Sequence, residues 1–311
     1  MGGAARGLGA VTPLEALIRR RIAAAGPMPV AEYMALCLGH PEHGYYRTRD
    51  PLGRGGDFVT APEVSQMFGE LVGLWLAAAA PEARLWVELG PGRGTLMADA
   101  LRAAGAAGLR PEVWFVETSE VLRAEQARRV PGARWAERLE DVPEAPAAIV
   151  ANEFFDALPV RQAVRAGGVW RERVVGLADG RLVFGLGGAV PGPAAPEGAV
   201  REWSPAGEAA AGEIGRRLAG AGGAALVVDY GAEAPEAGGG DTLQALAGGA
   251  FADPLAAPGA ADLTAHVDFG ALARAAEAAG ARAWPPLAQG VFLERLEIGR
   301  ASCRERVSFT V

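Results

Sequence analysis

The chain has 311 residues, half of them hydrophobic and 22% charged, which suits one large α/β domain or a domain with a small attached lobe and excludes a disordered chain. The formal charge is -7 and all 30 basic residues are Arg, a mark of coding bias rather than of a basic stripe, so phosphate-backbone binding is excluded as the main task and no nucleic-acid partner is expected. No apolar run reaches the roughly 18–20 residues that span a bilayer. Residues 1–10 carry no charged start followed by an apolar stretch, and Cys37 and Cys303 lie far apart without metal or disulfide spacing, so a reducing, cytoplasmic location and no metal are expected.

Thr12-Pro13-Leu14-Glu15 reads as a helix start, with a Thr cap, Pro at the first helical position and Glu three residues after the cap. That helix should run to about Ala24 and stop at Gly26-Pro27. A second helix is predicted over residues 30–38, then an irregular loop rich in Gly, Pro and aromatics over 40–58. Thr60-Ala61-Pro62-Glu63 is a second capping box, predicted to open one helix through about Ala79, with Met67, Leu71, Leu74 and Trp75 at helical spacing.

A βα series follows. Strands are predicted at residues 85–89, 113–116, near Trp135, at 147–151 and at 224–228, with helices at 95–104, 119–129, 208–218 and 268–279. Strands alternating with helices imply a doubly wound, mostly parallel sheet. Residues 160–186 break the rhythm: Gly167-Gly168 and Asp179-Gly180 are hairpin turns between alternating strands, so an inserted antiparallel β-hairpin lobe is expected, followed by a loop over 185–196. Residues 231–261 read as a long loop, more often functional than idle. The expected organisation is a helical N-terminal segment and lid over 1–80 and a core over 81–297. Residues 298–307 read IGRASCRERV and resemble a translated sequencing-adapter read-through. Residues 298–311 are therefore set aside as a non-native tail, and the natural chain is expected to continue past Leu296.

The sharpest chemical signal is Val87-Glu88-Leu89-Gly90-Pro91-Gly92-Arg93-Gly94, a strand feeding a glycine turn that opens a helix. Such a turn lets backbone approach a ligand closely, and the helix start offers amides to it. A dinucleotide fingerprint would need Gly at position 95, where this chain has Thr95; a nicotinamide-dependent oxidoreductase is the rival that this residue argues against. The pattern is instead E-x-G-x-G-x-G, the first motif of class I S-adenosylmethionine methyltransferases, with Glu88 facing the cationic methionine end. Glu117, closing the second strand, can accept both ribose hydroxyls. Asn152-Glu153-Phe154-Phe155-Asp156 sits at the carboxyl end of the fourth strand, where open α/β sheets hold their ligands. Glu153 and Asp156 can grip a cationic acceptor such as a guanidinium. Gly55 to Phe58 and Glu63 suggest a lid that excludes water. Asp229-Tyr230-Gly231 reads as a turn, and His40, His43 and His266 as structural.

Pro41 to Tyr46, Gly56 to Glu70, Val87 to Leu96, Ala151 to Pro159, Asp262 to Phe269 and Gln289 to Leu293 together resemble the MidA-like family of class I methyltransferases. That family is similar to the mitochondrial protein-arginine methyltransferase that assists respiratory complex I assembly. The resemblance implies S-adenosyl-L-methionine at Glu88, Gly90, Pro91, Gly92, Gly94, Thr95, Glu117 and Asn152. It implies an acceptor site at Glu153, Asp156 and Glu63, and methyl transfer to an arginine nitrogen of a protein such as a complex I subunit. A non-catalytic assembly factor that holds the same nucleoside is the other rival. In class I sheets a late antiparallel strand closes the sheet, and here it is expected past Leu296, so that this chain would leave a central strand edge unpaired.

Overall fold

Three segments are apolar almost without interruption: Leu85–Leu89, Ala147–Asn152 and Gly223–Asp229, and each is buried along nearly its whole length. Strands of that kind need cover on both faces, which a parallel sheet between two helical layers provides. A computed structural model describes residues 11–48, 60–234 and 240–296 and the backbone of 306–310, and it has this architecture.

The central sheet has seven strands in the order Ala283–Ala288, Arg306–Thr310, Gly223–Asp229, Ala147–Asn152, Leu85–Leu89, Glu112–Val116, Arg134–Ala136. Arg306–Thr310 runs antiparallel to both of its neighbours, while the pairs from Gly223–Asp229 to Arg134–Ala136 are parallel. Register divides the side chains cleanly. Trp86, Val150 and Leu226 face Val72, Leu76 and Leu96 of the helices Gln66–Ala79 and Thr95–Ala106. Val87, Ile149 and Val227 face Ile214, Leu218 and Leu272 of the helices Pro205–Ala221 and Phe269–Ala278. The chain builds outward in one direction from Leu85–Leu89, then returns to Ala147–Asn152 and builds in the other. The crevice at that switch lies over the carboxyl ends of these two strands.

The N-terminal helices and the insert are one lobe rather than two additions. Met28–Pro29 pairs with Val169–Ala178, extending an antiparallel sheet that also contains Arg161–Ala166, Arg181–Val190 and Val200–Trp203. Leu14, Ile18, Tyr33 and Met34 of the helices Pro13–Ala25 and Val30–Gly39 share a core with Val175 and Leu182 of that sheet. Thr12 caps the first helix, accepting from the Glu15 amide at 3.0 Å.

Four expectations are corrected. Residues 185–190, read as loop, continue a strand; their glycines lower β-propensity, but pairing with Val169–Ala178 supplies the order that propensity lacks. The single helix over 61–79 is broken at Ser65 into Ala61–Val64 and Gln66–Ala79, and Thr60 makes no side-chain cap. The long loop 231–261 contains Gln244–Ala247 and Ala250–Ala252, which form a small antiparallel sheet with Asp262–Thr264. Finally, the central edge is paired: Arg306–Thr310, inside the tail set aside as non-native, occupies the late antiparallel position, with Ser308 opposite Val227. Val307-Ser308-Phe309-Thr310 is rich in β-branched and aromatic residues, a strand signal that the adapter resemblance of the preceding residues masked. Residues 55–58 of the expected lid and 298–305 of the tail lie outside the described residues.

A proline at position 308 would remove a ladder donor between two paired strands, at a cost on the order of 1–3 kcal/mol. Ser308→Pro is therefore expected to lower Tm by several degrees; a melting curve that matches the parent would contradict the pairing.

Candidate active site

The strand Leu85–Leu89 ends in a turn whose Gly90, Gly92 and Gly94 have φ of 61°, 51° and 78°, a region that disfavours any side chain. The turn is also tight: a Cβ on Gly90 would stand 2.9 Å from the Phe154 ring. Gly94 then caps the helix Thr95–Ala106, which opens onto a cavity of about 620 Å³ at the switch in strand order. Glu88 is buried beneath the turn, and its Oε2 has no hydrogen-bond partner among the described residues. Burial pushes this carboxyl well above its ordinary 4.5, against a hydrogen bond from the Met97 amide. A buried acceptor on a residue that lines the cavity, under a turn with glycine at its three positive-φ positions, fits a ligand bearing a cationic or hydrogen-donating group.

Glu117 stands on the neighbouring strand end. Its Oε1 accepts from the amides of Thr118 at 2.8 Å and Ser119 at 2.7 Å. Its Oε2 accepts from Gln126 Nε2 at 3.2 Å and keeps acceptor capacity for a hydroxyl. Burial raises this carboxyl too. Gln126, fully buried, also donates to the Gly92 carbonyl at 2.7 Å and accepts from Trp135 Nε1 at 2.8 Å, so one side chain ties the glycine turn to Glu117. Sequence reasoning assigned Gln126 nothing; an uncharged amide on a helix otherwise rich in Arg and Glu was the available signal.

On the other side of Leu85–Leu89, the chain leaves Ala147–Asn152 with Glu153 at φ 48°, one of two non-glycine residues at positive φ among those described. Such a conformation persists only where the surroundings impose it. The Glu153 amide donates to the Val228 carbonyl at 2.8 Å. The amides of Phe155 and Asp156 donate to Asp229 Oδ2 at 2.9 and 3.3 Å. Asn152 lies beside Glu153 Oε1, with its Nδ2 at 3.4 Å, and its own Oδ1 is buried without a partner among the described residues. Glu153 and Asp156 line the cavity together with Tyr46, Tyr230, Asp262 and His266. Tyr46 donates to Asp262 Oδ1 at 2.7 Å. Burial first, and then the charges of Asp262 and Asp156, push the Tyr46 hydroxyl well above its usual range. Asp229, fully buried, is raised by burial and by neighbouring Asp156. This wall brings carboxyl groups together from three segments of the chain.

The expected site residues therefore gather at one cavity, in two groups. Glu88, Gly90, Pro91, Gly92, Thr95 and Glu117 line it on one side, with Gly94 capping the helix there; Asn152, Glu153 and Asp156 line it on the other. Glu63 lines it as well, but in company that the sequence did not suggest. Its carboxylate accepts a short hydrogen bond from Thr95 Oγ1 and stands 3.8 Å from Arg93, while Arg129 donates to the same Thr95 oxygen at 2.6 Å. The capping-box explanation of Glu63 is thus corrected: the residue joins the N-terminal segment to the glycine turn. Tyr230 and His266, read as turn and structural residues, line the cavity, as does Glu137. Tyr46, Asp262 and His266 all lie in the sequence blocks that carry the family resemblance, but their spacing alone gave no role.

For Glu88 and Glu117 the fold favours the neutral carboxyl. Their contribution to stability is fully present below 4.5 and is lost as pH rises from there through the raised folded values. Ligand-free protein is therefore expected to lose Tm as pH rises above 4.5, and Glu88→Gln to flatten that slope and melt higher at the alkaline end. An identical slope in the variant would contradict the account of Glu88.

Comparison with known proteins agrees with this geometry. The family described as "Putative S-adenosyl-L-methionine-dependent methyltransferase" matches residues 69–286. The protein arginine methyltransferase NDUFAF7 of Mus musculus is 38% identical over 93% of this chain and 75% of its own length. Its Drosophila melanogaster homolog is 37% identical over 90% and 74%. A likely methyltransferase of the COG1565 superfamily from Burkholderia thailandensis, solved with S-adenosyl-homocysteine, superposes with a TM-score of 0.83 at 29% identity, covering 98% of this chain and 95% of that one. The mouse and fly relatives are both named as mitochondrial, which overturns the cytoplasmic location expected from cysteine usage; a reducing compartment is not by itself the cytosol. With its glycine turn, orphaned Glu88 and parallel-sheet crevice, the chain belongs to the MidA-like family of S-adenosyl-L-methionine-dependent methyltransferases.

Proposed function

We propose that this methyltransferase modifies an arginine nitrogen on a protein substrate, and that the substrate is a subunit of respiratory complex I. The observation that carries the arginine reading is the acidic wall: Glu153, fixed at φ 48°, beside Asp156 and the Tyr46–Asp262 pair in the same cavity as Glu88. A guanidinium is planar and cationic and offers paired donors, which carboxylates match in both charge and geometry. The curated relatives named as protein arginine methyltransferases support the same acceptor class. The choice of a complex I subunit rests on the family resemblance.

S-adenosyl-L-methionine, when bound, supplies a methyl group on a sulfonium. Glu88 would face the charged end of the methionine moiety, Gly90, Pro91, Gly92, Gly94 and Thr95 would shape the turn around it, and Glu117 would accept the ribose hydroxyls. Asn152 would bridge the two groups of residues. On the acceptor side, Glu153 would accept an N–H of the guanidinium, orient one nitrogen in line with the methyl and take up the proton released as the new C–N bond forms. Asp156 would balance the remaining positive charge. Glu63 would hold the glycine turn through Thr95 and Arg93 rather than meet the acceptor. Positioning and electrostatics supply the acceleration, with no covalent enzyme intermediate.

Glu153→Gln keeps the shape and removes the proton acceptor. It is expected to lower kcat about 10²–10⁴-fold while leaving S-adenosylhomocysteine affinity within about twofold. Mass spectrometry of complex I subunits after reaction should show mass added on arginine and not on lysine. Full activity in the variant would sink the assignment of Glu153, and a wild-type protein that binds the nucleoside but methylates no arginine would favour the assembly-factor reading.

A further inference from the structure

Asp229 ends the strand Gly223–Asp229 and is wholly shielded from solvent. A buried carboxylate needs donors, and among the described residues this one finds them in backbone amides. Oδ2 receives the consecutive amides of Phe155 and Asp156, and Oδ1 receives the Tyr230 amide at 2.9 Å. The two segments so held go on to hold a third: the Asp156 carbonyl accepts from the Ala265 amide at 3.0 Å, and the Tyr230 carbonyl from the Val267 amide at 2.8 Å. His266 lies between these two anchored residues and Asp262 three residues before the first of them, and both line the cavity. Glu153 is thus bracketed. Its own amide is held by the carbonyl of Val228, the residue before Asp229, and the amides of Phe155 and Asp156, two and three residues on, are held by the Asp229 carboxylate. The glycine turn has a separate anchor in Gln126.

We propose that Asp229 is the positioning residue of the acceptor wall: one carboxylate fixes Glu153–Asp156, Tyr230 and, through them, the Asp262 segment, and so sets where the methyl acceptor is held. The acceptor's identity rests on the arginine reading above; the ordering of the wall does not. Only a carboxylate places two acceptor oxygens on three amides. An asparagine would turn an NH2 group toward one set of donors and lose those bonds. The cofactor side, anchored independently, should not notice.

The test uses the full chain with Asp229→Asn and with Asp229→Glu, which keeps both acceptor oxygens on a longer arm. Three quantities are measured: hydrogen exchange at the Phe155, Asp156 and Tyr230 amides, calorimetric affinity for S-adenosylhomocysteine, and methyl-transfer kinetics with the protein acceptor. Asp229→Asn is expected to speed exchange at those amides at least tenfold. It should leave nucleoside affinity within twofold and lower kcat/KM for the acceptor at least 30-fold without moving KM for the cofactor. Asp229→Glu should recover part of that loss. Unchanged exchange, or nucleoside affinity that falls in step with activity, would overturn the proposal. So would failure of both variants to fold, since Asp229 would then belong to the framework of the sheet. If the wild-type protein methylates no arginine, the acceptor reading fails by itself, and the exchange and affinity measurements still decide the role of Asp229.

Discussion

Everything at this site follows from one constraint: carboxylates buried at the carboxyl ends of parallel strands must find hydrogen-bond donors. The switch in strand order opens a crevice there, so some of the donors have to come from outside the sheet. Glu117 and Asp229 are satisfied by backbone amides of the loops that follow, and in the process they fix those loops. Among the described residues Glu88 Oε2 has no hydrogen-bond partner, and Glu88 lines the cavity. The same desolvation that makes these groups costly makes them selective, because a cation or a hydroxyl placed against them recovers what burial removed.

Much of this was legible in the sequence, where the signal was contiguous. Glu88 to Gly94, Glu117 and Asn152 to Asp156 each follow an apolar strand, and strand ends are where such sheets bind ligands, so position and chemistry pointed the same way. What stayed hidden depends on contacts between distant segments. Tyr46 meets Asp262 across most of the chain, and Gln126 reaches back to Gly92, pairings that no local spacing reveals. Glu63 shows the reverse error. A complete local explanation, the capping box, was available, and a tertiary partner, Thr95, won over it. Residues 306–310 were set aside because residues 298–307 resemble foreign sequence, yet they carry a short strand pattern and pair with Gly223–Asp229.

The lobe built from the N-terminal helices and the insert also bears on the site. Met28–Pro29 pairs with Val169–Ala178, the helices share its core, and Tyr46, packed against that core, lines the cavity. The insert is tied in turn to the cavity wall. Glu202 accepts from the Thr242 hydroxyl at 2.6 Å, and Thr242 Oγ1 accepts from the His266 amide at 2.8 Å. The cavity wall of Tyr46, Glu153, Asp156 and Asp262 is therefore assembled from the sheet, the lobe and the segment between them, while Glu88, the glycine turn and Glu117 belong to the first two βα units.

The division of the cavity into those two sides is the central claim, and a crystal structure of the complex with S-adenosylhomocysteine and an arginine-containing acceptor peptide tests it most directly. The account predicts the homocysteine end over Glu88 and the glycine turn, the ribose at Glu117, and the guanidinium against Glu153 and Asp156. A nucleoside bound away from Glu88, or a guanidinium held outside the wall formed by Glu153, Asp156 and Asp262, would contradict it.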